Sequence, residues 1–412
     1  MTKAKSIRGM HDLIGEDFLS QKEIIKLFES TAHNFNFKPI ETPIMEFNEV
    51  FSRTLGLSSD VVMKEMYTFI DRSNDQLTLR PEGTAGIARA IISNGLTQNL
   101  PLRYFYYGPM FRYERPQKGR LRQFNQVGVE VYSKPGMEKD FEVIYLAANF
   151  LKNLNILDKL ILKINNLGNF EDRNNYQKIL KEYYLQHKNK LSKDSIIRLE
   201  KNPLRILDSK SSEDIEINKN APNISDMLSE ESKKNFIKLK NILADFNILY
   251  EEDLFLVRGL DYYSNTIFEF TLKNDYKFAI LAGGSYDNLV AELGGPNLSG
   301  TGWAAGLERL TGLVKLKNQK SKMILIVPMQ SEFLKSAYKI REKFLHSNYS
   351  TEIHIDKNLK KSLKYANKIE ADYAIILGEE EVKKEVYTIK NLNTGLQNTI
   401  EKKFILEFLK ND

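Results

Sequence analysis

The sequence predicts an α+β protein in which a large antiparallel sheet carries a helical insertion and is followed by a smaller α/β domain. From Thr78 to Tyr132, strand patterns alternate with the turn signals RPEG and QKGR. Between residues 171 and 224 the composition changes to lysine, asparagine, aspartate and serine, with helical patches such as YQKILKEYY. In residues 321–412 strands alternate with helices, which indicates a parallel α/β sheet. We therefore predict one domain over residues 1–320 and another over 321–412.

Periodicity and turn residues predict the single elements in chain order. Helical spacing of apolar residues predicts an N-terminal helix capped by Asp17; these residues are Ile24, Leu27, Phe28 and Thr31. The two prolines of KPIETPIMEF favour an extended segment. After the insertion, strand patterns return at LFLVRG, NTIFEFTL and KFAILAGG. In the last domain, KMILIVP and DYAIILG are predicted strands, and SEFLKSAYKIREKFL is a predicted amphipathic helix.

Composition excludes several classes of function. The 412 residues include no cysteine, which removes disulfides, zinc–thiolate sites and thiol catalysis. No apolar run is long enough to span a membrane, and the N-terminus lacks the apolar stretch of a signal peptide, so we expect a cytoplasmic protein. The five histidines lack metal-site spacing, and there is no phosphate-binding P-loop and no G-x-S-x-G elbow. If the protein binds phosphate, arginine side chains rather than a P-loop must bind it.

The net charge of +6 fits either a polyanionic partner or simply a lysine- and asparagine-rich composition. Five lysines fall at spacings of three or four on one predicted helix of the last domain: Lys357, Lys360, Lys361, Lys364 and Lys368. Such a stripe is typical of a solvated face, and a groove for a nucleic-acid backbone fits it equally well.

The segment from Gly108 to Gln126 places five cations and a single acid inside a predicted sheet. Arg112 and Glu114 are two apart and so would project from the same side of a strand. The residues between 115 and 122 contain Pro116 and Gly119 and are predicted to form a long hairpin loop.

The return strand has two different faces. Val127, Val129 and Val131 share one face, while the other presents Phe124, Gln126, Gly128 and Glu130. Arginine binds phosphate bidentately, a carboxylate accepts hydrogen bonds from an amine, and phenylalanine stacks on a base. This face therefore suits a small ligand with a phosphate, a flat ring and an amine. The alternative is a surface ladder of ion pairs, which contributes little to stability.

Three other stretches repeat this chemistry, although each has an ordinary structural explanation by itself. TLRPEGTAG places Glu82 in a tight turn with Gly83 and Thr84. LVRGLDYYSNTIFEF places Arg258 near Tyr262 and Tyr263 ahead of a strand; Arg258 and Tyr263 differ in strand parity, so they share a site only if Gly259 marks a bend. GTGWAAGLERL places Arg309 on a helix whose buried face is formed by Leu307, Leu310 and Val314.

Taken together, these motifs resemble the histidyl-tRNA synthetases of the class II aminoacyl-tRNA synthetase family. FRYERPQKGRLRQFNQVGVEVY is similar to the family's motif 2, GTGWAAGLERL to motif 3, and ETPIMEF to motif 1 with Pro43 in its proline position. LVRGLDYYSNTIFEF and AGGSYDNL resemble the two histidine-specific signatures. FSRTLGLSSDVVMKEMYTF, LRPEGTAGIARA and the insertion segment RLEKNPLRILDSK also match, and residues 321–412 resemble the anticodon-binding domain.

The resemblance implies a two-step reaction with ATP and Mg²⁺. Histidine and ATP form histidyl-adenylate, and the histidyl group then passes to the 3′ end of tRNA(His). Arg112 would hold the α-phosphate, Glu114 the adenine amine and Arg309 the γ-phosphate, with Phe124 stacked on adenine. Arg258 and Arg112 would be the catalytic residues. Arg120 belongs to the implied ATP site, and with Lys118 it would also meet the acceptor end of the tRNA.

The resemblance also implies the amino-acid site and the assembly. The implied histidine site consists of Glu82, Gly83, Thr84, Arg112, Gln126, Glu130, Arg258, Tyr262, Tyr263 and Tyr286. The family usually has arginine where Ser285 stands and glycine where Asn288 stands, and often histidine where Asn125 stands. Motif 1 implies a homodimer. The alternative function is that of a catalytically inactive, histidine-sensing regulatory paralogue; a nucleic-acid-binding protein without catalysis would leave the polar hairpin face without a purpose.

Overall fold

The computed structural model describes residues 3–56, 59–117, 119–314 and 321–411, with backbone only for residues 275–277 and 411. The chain divides into two compact units, Met1–Leu316 and Lys317–Asp412. The domain boundary predicted after residue 320 lies outside the described residues. No helix among the described residues has the length and apolar character needed to span a bilayer.

Strands of the first unit form two sheets. Their bounds are β1 Lys38–Pro39, β2 Met45–Phe47, β3 Tyr67–Ile70, β4 Gln76–Leu79, β5 Leu102–Phe111, β6 Gln123–Ser133, β7 Leu160–Asn166, β8 Tyr250–Glu252, β9 Ser264–Leu272, β10 Asp275–Tyr286 and β11 Ser299–Gly306. The large sheet has the order β1-β5-β6-β11-β10-β9-β7-β8, and β2-β4-β3 form a small antiparallel sheet. Only the outer pairs β1/β5 and β7/β8 of the large sheet are parallel. The predicted fold class, α+β with an antiparallel sheet, is confirmed.

Helices of the first unit surround the large sheet and also form the insertion. They are α1 Glu16–Asn34, α2 Asn48–Thr54, α3 Thr84–Ser93, α4 Met137–Asn153, α5 Phe170–Gln186, α6 Lys193–Lys201, α7 Leu204–Leu207, α8 Ser212–Asn218, α9 Glu230–Asp245, α10 Leu289–Glu292 and α11 Leu307–Thr311. The insertion that the sequence predicts between residues 171 and 224 contains α5 to α8. Asn169 begins α5 with a capping box that includes Asp172.

The two faces of β6 separate core from site, as alternation predicts. Val127, Val129 and Val131 are buried among apolar side chains of α1 and α4, including Phe28 and Phe150. Strands β5 and β6 pair from Leu102 with Tyr132 to Phe111 with Gln123. The opposite face of β6 is therefore free to carry polar side chains at the centre of the sheet.

Several local predictions were wrong. Helix α1 begins after Gly15 and has no side-chain cap, so Asp17 lies in its first turn instead of capping it. Residues 84–93 form α3 within a region predicted as strands and turns. LFLVRG forms turns and irregular backbone, and β5 ends at Phe111, so Arg112 and Glu114 lie in the hairpin loop instead of on a strand.

The second unit contains a five-stranded sheet. Its strands are β12 Lys322–Pro328, β13 Tyr349–Ile353, β14 Tyr373–Leu377, β15 Val386–Asn391 and β16 Gln397–Glu401, and its helices are α12 Leu334–Phe344, α13 Leu359–Lys368, α14 Glu379–Lys383 and α15 Ile405–Asn411. The order is β13-β12-β14-β15-β16. The first three strands are parallel, as predicted, whereas β15 and β16 are antiparallel. All five lysines of the predicted stripe are exposed on or just before α13.

Candidate active site

A cleft of about 170 Å³ lies on the polar face of β6, β10 and β11. Twelve of the residues that the sequence singles out line it: Glu82, Thr84, Arg112, Glu114, Arg120, Phe124, Gln126, Arg258, Tyr262, Tyr263, Tyr286 and Arg309. Glu130 is hydrogen-bonded to the lining residues Thr84 and Tyr286, Gly83 lies between Glu82 and Thr84 in the chain, and Lys118 lies outside the described residues. Residues from five separate segments of the chain thus converge on one cavity.

Guanidinium groups dominate one end of the cleft. Arg112 donates from Nε to the carbonyl of Pro81 at 2.9 Å, and its guanidinium carbon lies 5.5 Å from the ring centre of Phe124. Arg309 donates to the carbonyls of Gly119 at 3.0 Å and Ala279 at 2.7 Å. Burial lowers the pKa of Arg309, and the nearby charge of Arg120 lowers this pKa further. An anion such as a polyphosphate would relieve this repulsion.

A carboxylate and a ring adjoin these cations. Glu114 has one oxygen 3.4 Å from the guanidinium of Arg120, and within the described part of the chain this buried oxygen accepts no hydrogen bond. Phe124 is partly exposed to the cleft beside Arg112. An acceptor next to an aromatic face matches what a purine with an exocyclic amine requires.

Acidic and phenolic side chains occupy the other end. Glu130 accepts a hydrogen bond from the Thr84 hydroxyl at 2.6 Å and another from the Tyr286 hydroxyl. Because its carboxyl is removed from water, the pKa of Glu130 is raised to about 8, and the charge of Glu82 contributes in the same direction. Burial likewise raises the pKa of Tyr286 and of Tyr263.

Glu82 lies at the start of α3, where backbone N–H groups lack intrahelical partners. Its two oxygens accept from the backbone N–H groups of Thr84 and Ala85, both at 2.8 Å. Burial raises the pKa of Glu82, and these two hydrogen bonds oppose that shift. Gln126 contributes a buried side-chain oxygen that accepts no hydrogen bond from the described residues. This end of the cleft therefore offers several acceptors to a ligand that carries N–H groups.

Arg258 lies between the two ends. Its Nη1 is 3.1 Å from Glu269, and its buried Nε donates no hydrogen bond within the described residues. Its charge affects both the pKa of Arg309 and the pKa of Tyr263. On a strand, Arg258 and Tyr263 would point to opposite faces. Residues 258–263 do not form a strand, so both side chains can line the same cleft. Arg258 is thus close to both the arginine end and the acidic end of the cleft.

Two glycines make room for this arrangement. A side chain at Gly83 would collide with the ring of Tyr106, and one at Gly302 would collide with the carboxylate of Glu130. Gly302, in β11, was missed as a site residue. The sequence signal for this residue was the spacing of small residues in SGTGW. That spacing indicates a close contact with Glu130 only once the structure shows Gly302 opposite Glu130 in the β6/β11 pair.

The three residues that depart from the family pattern, Ser285, Asn288 and Asn125, do not line the cleft. Ser285 donates to the buried carboxylate of Asp140 at 2.6 Å, on the side of β10 opposite to Tyr286. Asn288 precedes α10 without a side-chain capping bond, and Asn125 contacts Glu308. The contact between Tyr286 and Glu130 is therefore formed without an arginine at position 285.

An antiparallel sheet with a cluster of arginines at one end of a cleft and buried acidic and phenolic side chains at the other is the arrangement expected of a class II aminoacyl-tRNA synthetase. The histidyl-tRNA synthetase family model matches residues 9–310, and an anticodon-binding-domain model matches residues 323–412. The chain belongs to the histidyl-tRNA synthetase family.

Similar proteins and solved structures support this family assignment. Histidine–tRNA ligase of Rhodospirillum rubrum is 44% identical over 417 residues, which cover 99% of each chain. The structure of apo S. aureus histidyl-tRNA synthetase has a TM-score of 0.81 and 30% identity, and covers 98% of this chain and 99% of that one. A Bacillus halodurans structure titled ATP phosphoribosyltransferase regulatory subunit/histidyl-tRNA synthetase has a TM-score of 0.66 at 22% identity, covering 88% and 96%; it shares the fold.

Proposed function

We propose that this chain activates L-histidine with ATP and transfers the histidyl group to tRNA(His). One observation carries the proposal: Arg112, Arg258 and Arg309 converge on the same cleft as the buried cluster of Glu130 and Tyr286. The relatives named histidine–tRNA ligase support it over the full length. None of them supports the regulatory alternative.

ATP would occupy the arginine end. Arg112 would bind the α-phosphate and Arg309 the γ-phosphate, with Arg120 adding positive charge beside them. Glu114 would accept from the adenine amine through the oxygen that accepts no hydrogen bond from the described residues, and Phe124 would stack on the base. The ATP phosphates would then lie among groups that already repel one another, so ligand binding lowers the electrostatic energy of the site.

Histidine would occupy the acidic end. Glu82, Thr84 and Gln126 would hold its ammonium and backbone, and Glu130 with Tyr263 and Tyr286 would bind the imidazole. Gly83 and Tyr262 complete this pocket, Gly83 by admitting the ring of Tyr106 behind it. A competitor without ring nitrogens would leave these buried groups unpaired, which is a strong basis for rejection.

In the first step a carboxylate oxygen of histidine bonds to the α-phosphorus, and the bond between that phosphorus and pyrophosphate breaks. The leaving pyrophosphate takes the electron pair. Arg112 and Arg258 would offset the negative charge that builds on the α-phosphate oxygens. In the second step the 3′-terminal ribose hydroxyl attacks the histidyl carbonyl, and AMP leaves.

We expect Mg²⁺ to enter the site bound to the phosphates of ATP. Among the described residues no three acidic or histidine side chains gather closely enough to hold a metal by themselves, which fits an ion bound chiefly by phosphate oxygens. Such an ion would neutralise phosphate charge and help pyrophosphate to leave.

The direct test is exchange of radiolabelled pyrophosphate into ATP by the purified chain. Exchange should require histidine, and phenylalanine should not replace it. Histidine binding without any exchange would instead establish the sensing function.

The RPQKGR loop is proposed to meet the tRNA acceptor end through Lys118 and Arg120. We expect Lys118→Ala with Arg120→Ala to impair tRNA charging more than pyrophosphate exchange; equal losses would reject the tRNA role of this loop. Arg120 also lines the ATP cleft. Lys118→Ala alone should therefore lower charging, by roughly tenfold for one lost phosphate or base contact, while exchange stays near the parent value.

The second unit is proposed to bind the anticodon stem. The exposed lysines of α13 would contact phosphates, and unstacked anticodon bases would carry the sequence information. A cytoplasmic location follows from this function, because the tRNA and ATP are used there.

A homodimer is proposed from the small sheet, which exposes a group of apolar side chains: Ile44, Met45, Phe47, Phe69 and Ile70. Large apolar side chains left exposed in this way are typical of an interface. We expect a dimeric mass by light scattering, and a shift toward monomer in Phe47→Asp. The matched control is Leu345→Asp, an exposed leucine of the second unit. A monomeric mass for the parent chain would contradict the proposal.

A further inference from the structure

The segment that carries Arg258 has no regular structure of its own. Residues 253–263 connect β8 to β9 through turns and irregular backbone, yet they bring Arg258, Tyr262 and Tyr263 to the cleft. A flexible segment would spread the guanidinium of Arg258 over many positions, and preorganised charge acts on a reaction only when it is fixed. Some other part of the molecule must therefore hold this backbone.

The helical insertion makes the required contacts. Arg205, in α7, donates from Nη1 to the carbonyl of Arg258 itself at 2.8 Å. The distance from Nη1 to the position of a side chain at Gly259 is only 3.3 Å, so the absence of a side chain there helps the approach. Arg205 is in turn oriented by carboxylates of Asp208 at 3.6 Å and Asp60 at 3.9 Å.

Two more insertion residues hold the following part of the segment. Arg173, in α5, donates to the carbonyls of Asp261 at 2.7 Å and Tyr263 at 2.5 Å. Asn202, which follows α6, donates from Nδ2 to the Asp261 carboxylate at 2.8 Å. Backbone carbonyls at 258, 261 and 263 are thus all bound from the insertion.

We propose that Arg205, Arg173 and Asn202 are positioning residues for histidyl-adenylate formation, which hold residues 258–263 so that Arg258 is aimed at the reacting groups. They touch neither substrate; they act on the backbone that carries the catalytic guanidinium. The insertion is then a working part of the adenylation site, and the inference rests on the function proposed above.

Arg205→Met removes the donors and keeps the length of the aliphatic stem. In protein normalised by active-site titration, we expect the kcat of histidine-dependent pyrophosphate exchange to fall by about 10- to 100-fold, because a small displacement of a catalytic group costs that much. KM for ATP should change much less, since Arg112 and Arg309 are held by other carbonyls. Arg205→Lys, which restores a single donor, should recover part of kcat.

The decisive comparison is made on an Arg258→Ala background. If Arg205 acts through Arg258, adding Arg205→Met there should cost less than about twofold more. Lys219→Met is the matched control, because Lys219 is an exposed insertion residue paired with Glu216; it should leave exchange unchanged.

Three outcomes overturn the inference. They are a folded Arg205→Met protein with the kcat of the parent, full additivity of the Arg205→Met and Arg258→Ala effects, or a loss of exchange rate that is explained entirely by a smaller number of titrated active sites. Should Arg205→Met not fold, Asn202→Ala takes its place, with an expected kcat loss of about 3- to 10-fold. A parent-like kcat in that folded variant overturns the inference as well. An inactive parent chain would instead reject the proposed function, so the two failures are distinguishable.

Discussion

Replacing Arg258 with alanine is expected to lower histidine-dependent pyrophosphate exchange by about 10²- to 10³-fold, the usual cost of removing one preorganised donor from a reacting phosphate or carbonyl. Arg258 lies between the phosphate-binding and histidine-binding ends of the cleft, so its loss removes charge stabilisation that builds only in the transition state. The effect should therefore fall mainly on kcat. Initial rates over a matrix of ATP and histidine concentrations separate kcat from the two KM values.

Arg103→Ala is a matched control. Like Arg258, Arg103 is a half-buried arginine paired with a glutamate, here Glu142 at 2.6 Å, but it does not line the cleft. Exchange by this variant should stay within about twofold of the parent, because the pair contributes only to local stability. Equal activity of Arg258→Ala and the parent would remove Arg258 from the mechanism.

The sequence could predict which side chains reach the cleft wherever the alternation of strand residues determines the face on which a side chain lies. In β6, burial of the valines determined which face Gln126 and Glu130 occupy, and both were placed correctly. Arg309 was likewise predictable, because Leu307 and Leu310 fix the buried side of its short helix.

Local pattern failed where long-range contacts decide the conformation. LFLVRG has the composition of a strand, but the carbonyl of Arg258 is bound by Arg205 of the insertion, 53 residues away, and Asn165 of β7 binds the carbonyls of Leu254 and Leu256. The pairing of Tyr286 with Glu130 spans 156 residues. The pattern of a single sequence contains no record of such contacts, and the motif resemblance supplied the grouping that periodicity could not.

Helix α3 shows a third kind of difficulty. All ten residues of TAGIARAIIS are helical, and seven of them are buried. The segment has small and apolar residues on most sides, so it lacks the polar face by which an amphipathic helix is recognised in a sequence. Glu82 was predicted in a turn, but its role in accepting the first N–H groups of this helix became visible only in the structure. The same contacts fix the carboxylate proposed to meet the substrate ammonium.

Glu130→Gln is expected to raise KM for histidine by about 10- to 100-fold, because the amide group replaces one hydrogen-bond acceptor of this buried site with a donor. Glutamine keeps the size of the side chain, so the cleft and the ATP end should be preserved and KM for ATP should change little. Glu142→Gln, at a half-buried glutamate outside the cleft, should leave both KM values unchanged. An unchanged KM for histidine in Glu130→Gln would exclude a role of this carboxyl in binding the imidazole.

The same substitution should alter the pH dependence of stability in the ligand-free protein. The folded-state pKa of Glu130 is about 8, above the unfolded value of 4.5, so the native state binds the extra proton. The stabilisation linked to that proton is fully present below about pH 4.5 and is lost as pH rises through about 8. Melting temperatures measured from about pH 6 to pH 9 should therefore fall more steeply in the parent and in Glu142→Gln than in Glu130→Gln, which cannot titrate at this position. Parallel profiles for the parent and Glu130→Gln would show that Glu130 is already ionised in the folded protein at neutral pH, and that its burial is compensated by Thr84 and Tyr286.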